Sequence, residues 1–529
     1  MRFNAPVSKK TKRLLAVIVV LLLLPVFWLI AERARGEWQF AAWTKAMRAR
    51  GEKLTLDELV AGRKTPPQAT LLTPADVELL LAGLSSARET APPLGRITGP
   101  GRAIAFSQRT GWRGGDDKDR GWTDFERATD GDRARLPGIR ARLTNETIRV
   151  RLDFEQGFDL MLPHLARFKG AAQAFAYEAM YDLHQGDRAG ALANLRGATA
   201  LVDLLEGEDL LISQLVRIAV AGIAPSAVWE ALQDDGWSDA QLAGLQADWA
   251  RLRFLAATGE ALRMERAVAG TYFPGGRHSS RAQMRQLVAF GGAGGAWSSG
   301  WNSGRFAWLA AFGDVIDPVT TFFRAELWRY VWAKQDQLVH HRTIQANIDW
   351  TRDHAERRDC RGMEALSAAE ATALNHAPDR FLVSRSGLAA YSKMIEKAAL
   401  TEAWREIIVT AIALKRFHLR HAEWPASLDE LVPGLLPETP VDWMDGRPLR
   451  YRREPEGGFL LYSVGSDGRD DGGDPRTEDG RATVVWQSGR DLVWPRAATT
   501  EEIAAYEAEL IGNRTGPGRA RWRPGRGRP

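Results

Sequence analysis

Asp467, Asp470, Asp471 and Asp474 crowd four carboxylates into eight residues. Hard Ca²⁺ takes about six to eight oxygens from carboxylates, carbonyls and water, so such a stretch is chemically apt for it. A solvated acidic turn that binds nothing is the plain alternative. The run Asp467-x-Arg469-x-Asp471-Gly472, followed by Glu478, approaches the spacing of an EF-hand loop. It fails as one, because Arg469 stands where a third oxygen ligand belongs and the preceding pattern is a strand.

Histidines form the next grouping: His340-His341, with Asp353 and His354 about three turns further along one helix. Zinc-binding helices place ligands at i and i+4, a spacing this grouping lacks. If the chain is an enzyme, these four residues are its candidates, in an envelope hydrolase or lyase with its site in the helical body. His418 and His421, one turn apart, could form a ligand pair, but a helix C-terminus favours cationic histidine for dipole reasons alone. Ala296-Trp297-Ser298-Ser299-Gly300 approximates a nucleophile elbow without its first glycine or a preceding strand. The single Cys360 has no hydrolase context and excludes an intramolecular disulfide framework.

The elements that position these groups are mostly helices. Phe168–His184 and Ala189–Leu205 are apolar at i, i+3, i+4 spacing and are joined by Gln185-Gly186-Asp187, which predicts a helical hairpin. Its second helix is similar to that of a tetratricopeptide repeat; the first matches poorly at Glu178 and Asp182, and no array follows. Leu210–Val220 reads as a buried helix, and Ser238 with Gln241 as the capping box of a long helix running past Arg253. Glu37–Val60 reads as a helix with a break at Gly51, Gly111–Gly131 as a polar loop, and Phe290–Trp308 as a mobile loop. Phe322–Asp349 returns to helix with an aromatic face, and a final helix covers about Ala389–His421. Thr499 with Glu502 caps a short helix to Leu510.

Beyond that final helix come Trp424-Pro425, a Leu/Pro-rich loop, Val441-Asp442-Trp443-Met444-Asp445-Gly446-Arg447-Pro448-Leu449-Arg450-Tyr451 and Phe459-Leu460-Leu461-Tyr462-Ser463-Val464-Gly465-Ser466-Asp467-Gly468. The alternation around Pro455-Glu456-Gly457-Gly458 predicts a hairpin. These motifs resemble the soluble half of the major pseudopilins of bacterial type II secretion. The resemblance covers about a fifth of the chain and implies a helix with a small antiparallel sheet packed across it. It also implies a calcium loop, carried here by the Val464 carbonyl, the Asp467 carboxylate, the Arg469 carbonyl and Asp474. Gly472 and Pro475 depart from that pattern, and Asp470 and Asp471 are the available compensations. Residues 1–30 contain neither the Gly-Phe cleavage site nor the following Glu of a pseudopilin, so processing into a pilus subunit is not expected.

Leu14 to Ala31 is an almost unbroken apolar run. Its 18 residues reach roughly 27 Å as a helix, enough for a bilayer core. Arg2, Lys9, Lys10, Lys12 and Arg13 precede it, which predicts a cytoplasmic N-terminus, a single-pass inner-membrane anchor and an extracytoplasmic or periplasmic body. Those five charges and the six arginines from Asn513 onward, subtracted from a formal +5, leave about −6 for the rest. A basic groove for nucleic acid is therefore not supported. The Arg-rich tail could contact anionic surfaces.

The expected fold class is α+β, mainly α. Residues 1–36 form the basic flank and anchor, 37–135 a membrane-proximal helix and Pro/Gly-rich segment, and 136–388 an all-helical body. Residues 389–495 form the pseudopilin-like module, and 496–529 a short helix and disordered tail. The expected function is a non-enzymatic envelope scaffold that displays the module to a protein partner.

Overall fold

The computed structural model describes residues 9–63, 66–84, 118–276, 280, 325–376, 378, 381–387, 391–455, 457–476 and 490–496. These residues are mainly helical, and their strands are confined to two small sheets. The readings at Phe290–Trp308, at Ala296–Gly300, at Thr499–Leu510 and in the Arg-rich tail lie outside the described residues.

Helix α1, Lys9–Ala49, runs for 41 residues through Pro25 and through the expected boundary at residue 36. Its first half exposes the apolar run, with Leu22 67% and Phe27 65% accessible. From Glu32 onward the pattern changes: Glu32, Gly36, Trp43 and Met47 are buried and Phe40 is half-buried. That spacing of three and four residues is a helical stripe facing a partner. The helix ends before Gly51, whose φ of +80° suits glycine. A Thr55–Glu58 capping box then opens α2, Leu56–Ala61.

Strand β1, Thr70–Leu72, pairs in parallel with β2, Ile148–Val150, so the segment assigned as all-helical contains a strand. Between them lie α3, Pro74–Leu81, and α4, Lys118–Asn145. Helix α4 overturns the expected polar loop over residues 118–131. Glycines and aspartates weaken its intrinsic propensity, and tertiary contacts override that weakness. Leu136 and Ile139 are buried, and Arg133 pairs with Glu178 of the following hairpin.

That hairpin is α5, Leu165–Gln185, and α6, Arg188–Leu204, turned at Gly186 with φ +78°. A Cβ on Gly197 would approach the Phe175 ring to 2.7 Å, so a small residue lets the two helices close. Helices α7 (Leu211–Ala221), α8 (Ala224–Ala231), α9 (Asp239–Ala250) and α10 (Leu255–Gly270) complete this layer. The stretch Leu211–Ala231 is apolar and long enough to cross a membrane, but 61% of its window is buried in the body. The Ser238–Gln241 capping box forms as expected, yet α9 stops at Ala250 rather than passing Arg253. The cause is a carboxylate far along the chain. Glu402 accepts from the backbone N–H groups of Phe254 and Leu255 at 2.5 and 3.0 Å and so starts a new helix there.

A π-helical turn, Trp328–Trp332, leads into α11, Ala333–Arg357. Then follow α12 (Met363–Asn375), α13 (Leu382–Gly387) and the long α14 (Tyr391–His421). Helix α14 packs on α7, α9, α10, α11 and α12 before it meets the second sheet. That sheet is an antiparallel meander of β3 (Arg450–Arg453), β4 (Phe459–Ser463) and β5 (Leu492–Val493). The β3–β4 hairpin forms as expected, with Arg453 opposite Phe459. One continuous apolar cluster runs from Leu56 through the helices to Leu461, Val464, Leu492 and Trp494. Trp229 of α8 donates to the Pro495 carbonyl at 2.6 Å, and Gln246 of α9 to the Leu435 carbonyl at 2.7 Å. The sheet is built onto the helical body.

Candidate functional site

The C-terminal sheet holds a polar network beside the sequence-predicted residues. At its centre Asp442 is fully buried and accepts from the Ser463 hydroxyl (2.7 Å) and the Met444 and Val464 N–H groups (3.0 and 2.9 Å). Arg450 of β3 donates to Asp442 at 2.9 Å and to both oxygens of Asp445 at 3.1 and 2.6 Å. Burial holds the Asp442 carboxyl above its ordinary range despite these donors. The hydrogen bonds it donates to Asp445, its largest influence, raise the Arg450 guanidinium further, keeping it cationic. The arrangement locks the loop before β3 to the end of β4.

The Asp-rich loop hangs from this lock. Asp467 accepts from the Arg469 N–H at 3.0 Å, closing a local turn. Asp470 lies against Arg450 at 3.4 Å and accepts from the Tyr462 hydroxyl at 2.9 Å. Asp474 is held by Arg476 at 2.8 Å and by Arg490 at 3.1 Å, and the Arg476 guanidinium draws its carboxyl down to about 2. Asp491 is 1% exposed and accepts from the Gly473 and Asp474 N–H groups at 2.8 and 3.1 Å, stapling the loop's far end to β5. Burial raises the Asp491 carboxyl to about 6.

These facts bear on calcium directly. Two of the four predicted carboxylates, Asp470 and Asp474, are already met by guanidinium groups. Among the described residues no group of three or more His, Cys, Asp or Glu is arranged to hold a metal ion. Of the expected Ca²⁺ shell of Val464, Asp467, Arg469, Asp470, Asp471 and Asp474, the Asp470 and Asp474 carboxylates are thus engaged by arginines in this arrangement. Gly468–Gly472 is an exposed tip on a tightly braced base.

The aromatic loop Trp424-Pro425 is tied to the same sheet. The Pro425 carbonyl accepts from the Tyr451 hydroxyl at 2.8 Å and from Arg453 at 2.9 Å. Trp424 stacks on His418 at 4.3 Å and meets Phe459 edge-on at 4.8 Å. His421 lies instead against Phe417 at 4.3 Å, so the two histidines pack on separate rings rather than sharing a ligand.

The helical candidates do not converge either. His340 and His341 are both 3% exposed and packed among Phe40, Trp43 and Phe273 at centroid distances of 5.7–6.1 Å. Neither Nδ1 has a hydrogen-bond partner among the described residues. Burial lowers both imidazoles, His340 to about 4, so they are neutral packing groups at pH 7. His354 stacks on Trp350 at 3.8 Å. It lies 13 residues beyond His341, roughly 20 Å along α11. Cys360 is 2% exposed with its thiol pushed up to about 12 by burial, which removes the thiolate a nucleophile needs.

Sequence reasoning missed one constellation. His164, Glu208 and Ser213 are all at most 1% exposed, with His164 at 2.8 Å from one Glu208 oxygen and Ser213 donating to the other at 2.6 Å. The residue types suggest a triad, but the connectivity does not. Serine donates to the carboxylate rather than to histidine, so nothing activates the hydroxyl. The 44-residue separation of His164 and Glu208 left no sequence signal.

No family model, curated protein or solved structure matches this chain.

Proposed function

We propose that the protein is a membrane-anchored scaffold of a bacterial envelope, holding its C-terminal sheet toward a protein partner outside the inner membrane. The observation that carries this reading is α1: its exposed apolar half passes without a joint into a stripe packed on the body. A helix of this kind is both anchor and structural member. The basic residues before Leu14 favour a cytoplasmic N-terminus.

The recognition end in this reading is the exposed tip Gly468–Gly472, because its base is braced by Asp442, Arg450 and Asp491. A rigidly supported loop loses little entropy on binding. The resemblance of the surrounding motifs to pseudopilins supports a partner in a secretion or pilus-like apparatus. Photo-crosslinking tests the proposal. A benzophenone residue at Arg469 in the full chain is expected to give discrete protein adducts in envelope membranes, absent when the label sits at Glu356. Adducts to lipid alone, or none, reject a protein-recognition role for the tip.

A further inference from the structure

Helix α1 and helix α11 run side by side in the same direction. Trp28 meets Trp332 with ring centroids 6.4 Å apart, and Gln335 donates to the Glu32 carbonyl at 2.8 Å. A Cβ on Gly36 would come within 2.8 Å of the Gln335 side chain. Phe40 and Trp43 pack on His341 at 5.8 and 5.7 Å, and Arg50 reaches Asp349 at 3.0 Å. A constant offset near 300 residues fixes the register along the whole contact.

The register sets a depth for the turn that precedes α11. Extrapolated one turn back from the Trp28–Trp332 contact, Tyr330 falls level with roughly Phe27 and Leu327 with roughly Leu24. Both levels lie inside the Leu14–Ala31 run. Tyr330 is 55% exposed and Leu327 41% exposed, beside Phe27 and Trp28 at 65% and 53%. Trp328 and Val331, on the other side of the same turn, are buried. With the half-buried Arg329 between them, Leu327 and Tyr330 therefore face outward at the depth where α1 shows its own apolar side chains. Glu326, in the same turn, is half-buried and has a bonding partner, so its charge is not simply offered outward.

We infer that residues 325–332 form a second membrane contact, seated in the outer interface of the bilayer that α1 crosses. This rests on the reading of α1 as a membrane span. Leu327 meets the acyl chains, and Tyr330, about 6 Å inside the outer end of the run, extends its hydroxyl toward the headgroups, as interfacial tyrosines do. The body is thereby fastened to lipid at two adjacent points rather than one.

Spin labels placed singly at Leu22→Cys, Leu327→Cys, Tyr330→Cys and Glu356→Cys test this in the full chain. The chain is reconstituted in phosphatidylcholine–phosphatidylglycerol vesicles. Cys360 stays in place, since it is 2% exposed and does not take the label. Glu356 lies 24 residues beyond Trp332, roughly 36 Å along the helix and away from lipid. The expected ratio of collision with oxygen to collision with a water-soluble nickel chelate is highest at Leu22. At Leu327 and Tyr330 it is several-fold above that at Glu356. Ratios there that equal the Glu356 value, or shielding from both reagents by protein, overturn the inference while leaving the span intact. A Leu22 label that reads as water-exposed removes the span, and the inference with it.

Discussion

At the scale of single residues, the buried His340–His341 pair makes the clearest experimental handle. In the fold His340 takes a proton only near pH 4, against an ordinary histidine value of 6.5. Between those values the unfolded chain binds more protons than the folded one. The pair's contribution is therefore complete above about pH 6.5 and drains away as pH falls toward 4. For His340 alone this is on the order of 3 kcal/mol. Arg266 and Lys334 oppose a positive charge on His341. Asp182 and Asp491, raised to about 6 by burial, titrate in the opposite sense, so the readout is a difference. Melting temperature followed from pH 7.5 to 4 is expected to fall less steeply for His340→Phe than for the parent; parallel curves would show that the imidazole is not the group responsible. The acidic character of Asp467–Asp474 could be read directly from the sequence. Only part of its neutralisation could, because Arg476 is two residues from Asp474, whereas Arg450 lies 20 residues from Asp470 and Arg490 lies 16 from Asp474. Local composition holds no information on which distant cation folds back.

Among the elements, the legible ones carried their own boundaries. The α5–α6 hairpin has a glycine at the turn and a clean apolar period on each side, and β3–β4 has alternation with Gly457-Gly458 between. Helix α4 and the break between α9 and α10 were illegible for the same physical reason: partners elsewhere in the chain decide them. Glu402 illustrates the point, since it sits in the middle of α14 yet caps α10 while pairing with Arg405 at 2.8 Å. Its side chain is 1% exposed and that of Arg405 is 7% exposed, so removing the carboxylate uncaps a helix and weakens the pairing of a buried cation. Glu402→Ala is expected to cost about 3–5 kcal/mol in urea unfolding. Glu402→Gln, which keeps an acceptor for the two N–H groups, costs less. Equal losses from both would mean that the cap is not what the residue supplies. The polar positions Glu178 and Asp182, which spoil the repeat-like match of α5, face other helices. Glu178 pairs with Arg133 of α4, and Asp182 accepts from Asn194 of α6 at 2.7 Å.

For the molecule as a whole, the sheet module looked separable in sequence because its motifs are contiguous and carry a resemblance of their own. Packing says otherwise. Helix α14 is shared, the apolar cluster is continuous, and Trp229 and Gln246 tie the module's loops to α8 and α9. Body and module are expected to unfold in one calorimetric transition. A fragment covering residues 389–495 is expected to lack a cooperative melt, because α14 would expose the face it now buries on α7, α9 and α10. Two resolved transitions in the full chain would show that the module has a core of its own.

The unjointed α1 has a mechanical consequence. Its 41 residues make a rod of about 60 Å, with the body bolted along its upper half. A protein hung on a flexible stalk swivels freely and offers its far end in every direction. Under the proposed anchoring, the heading of the sheet in the plane of the membrane follows the rotation of the rod. A partner that turned or tilted the membrane segment would then steer the loop at residues 468–472 with it, and a load on that loop would return to the bilayer as torque.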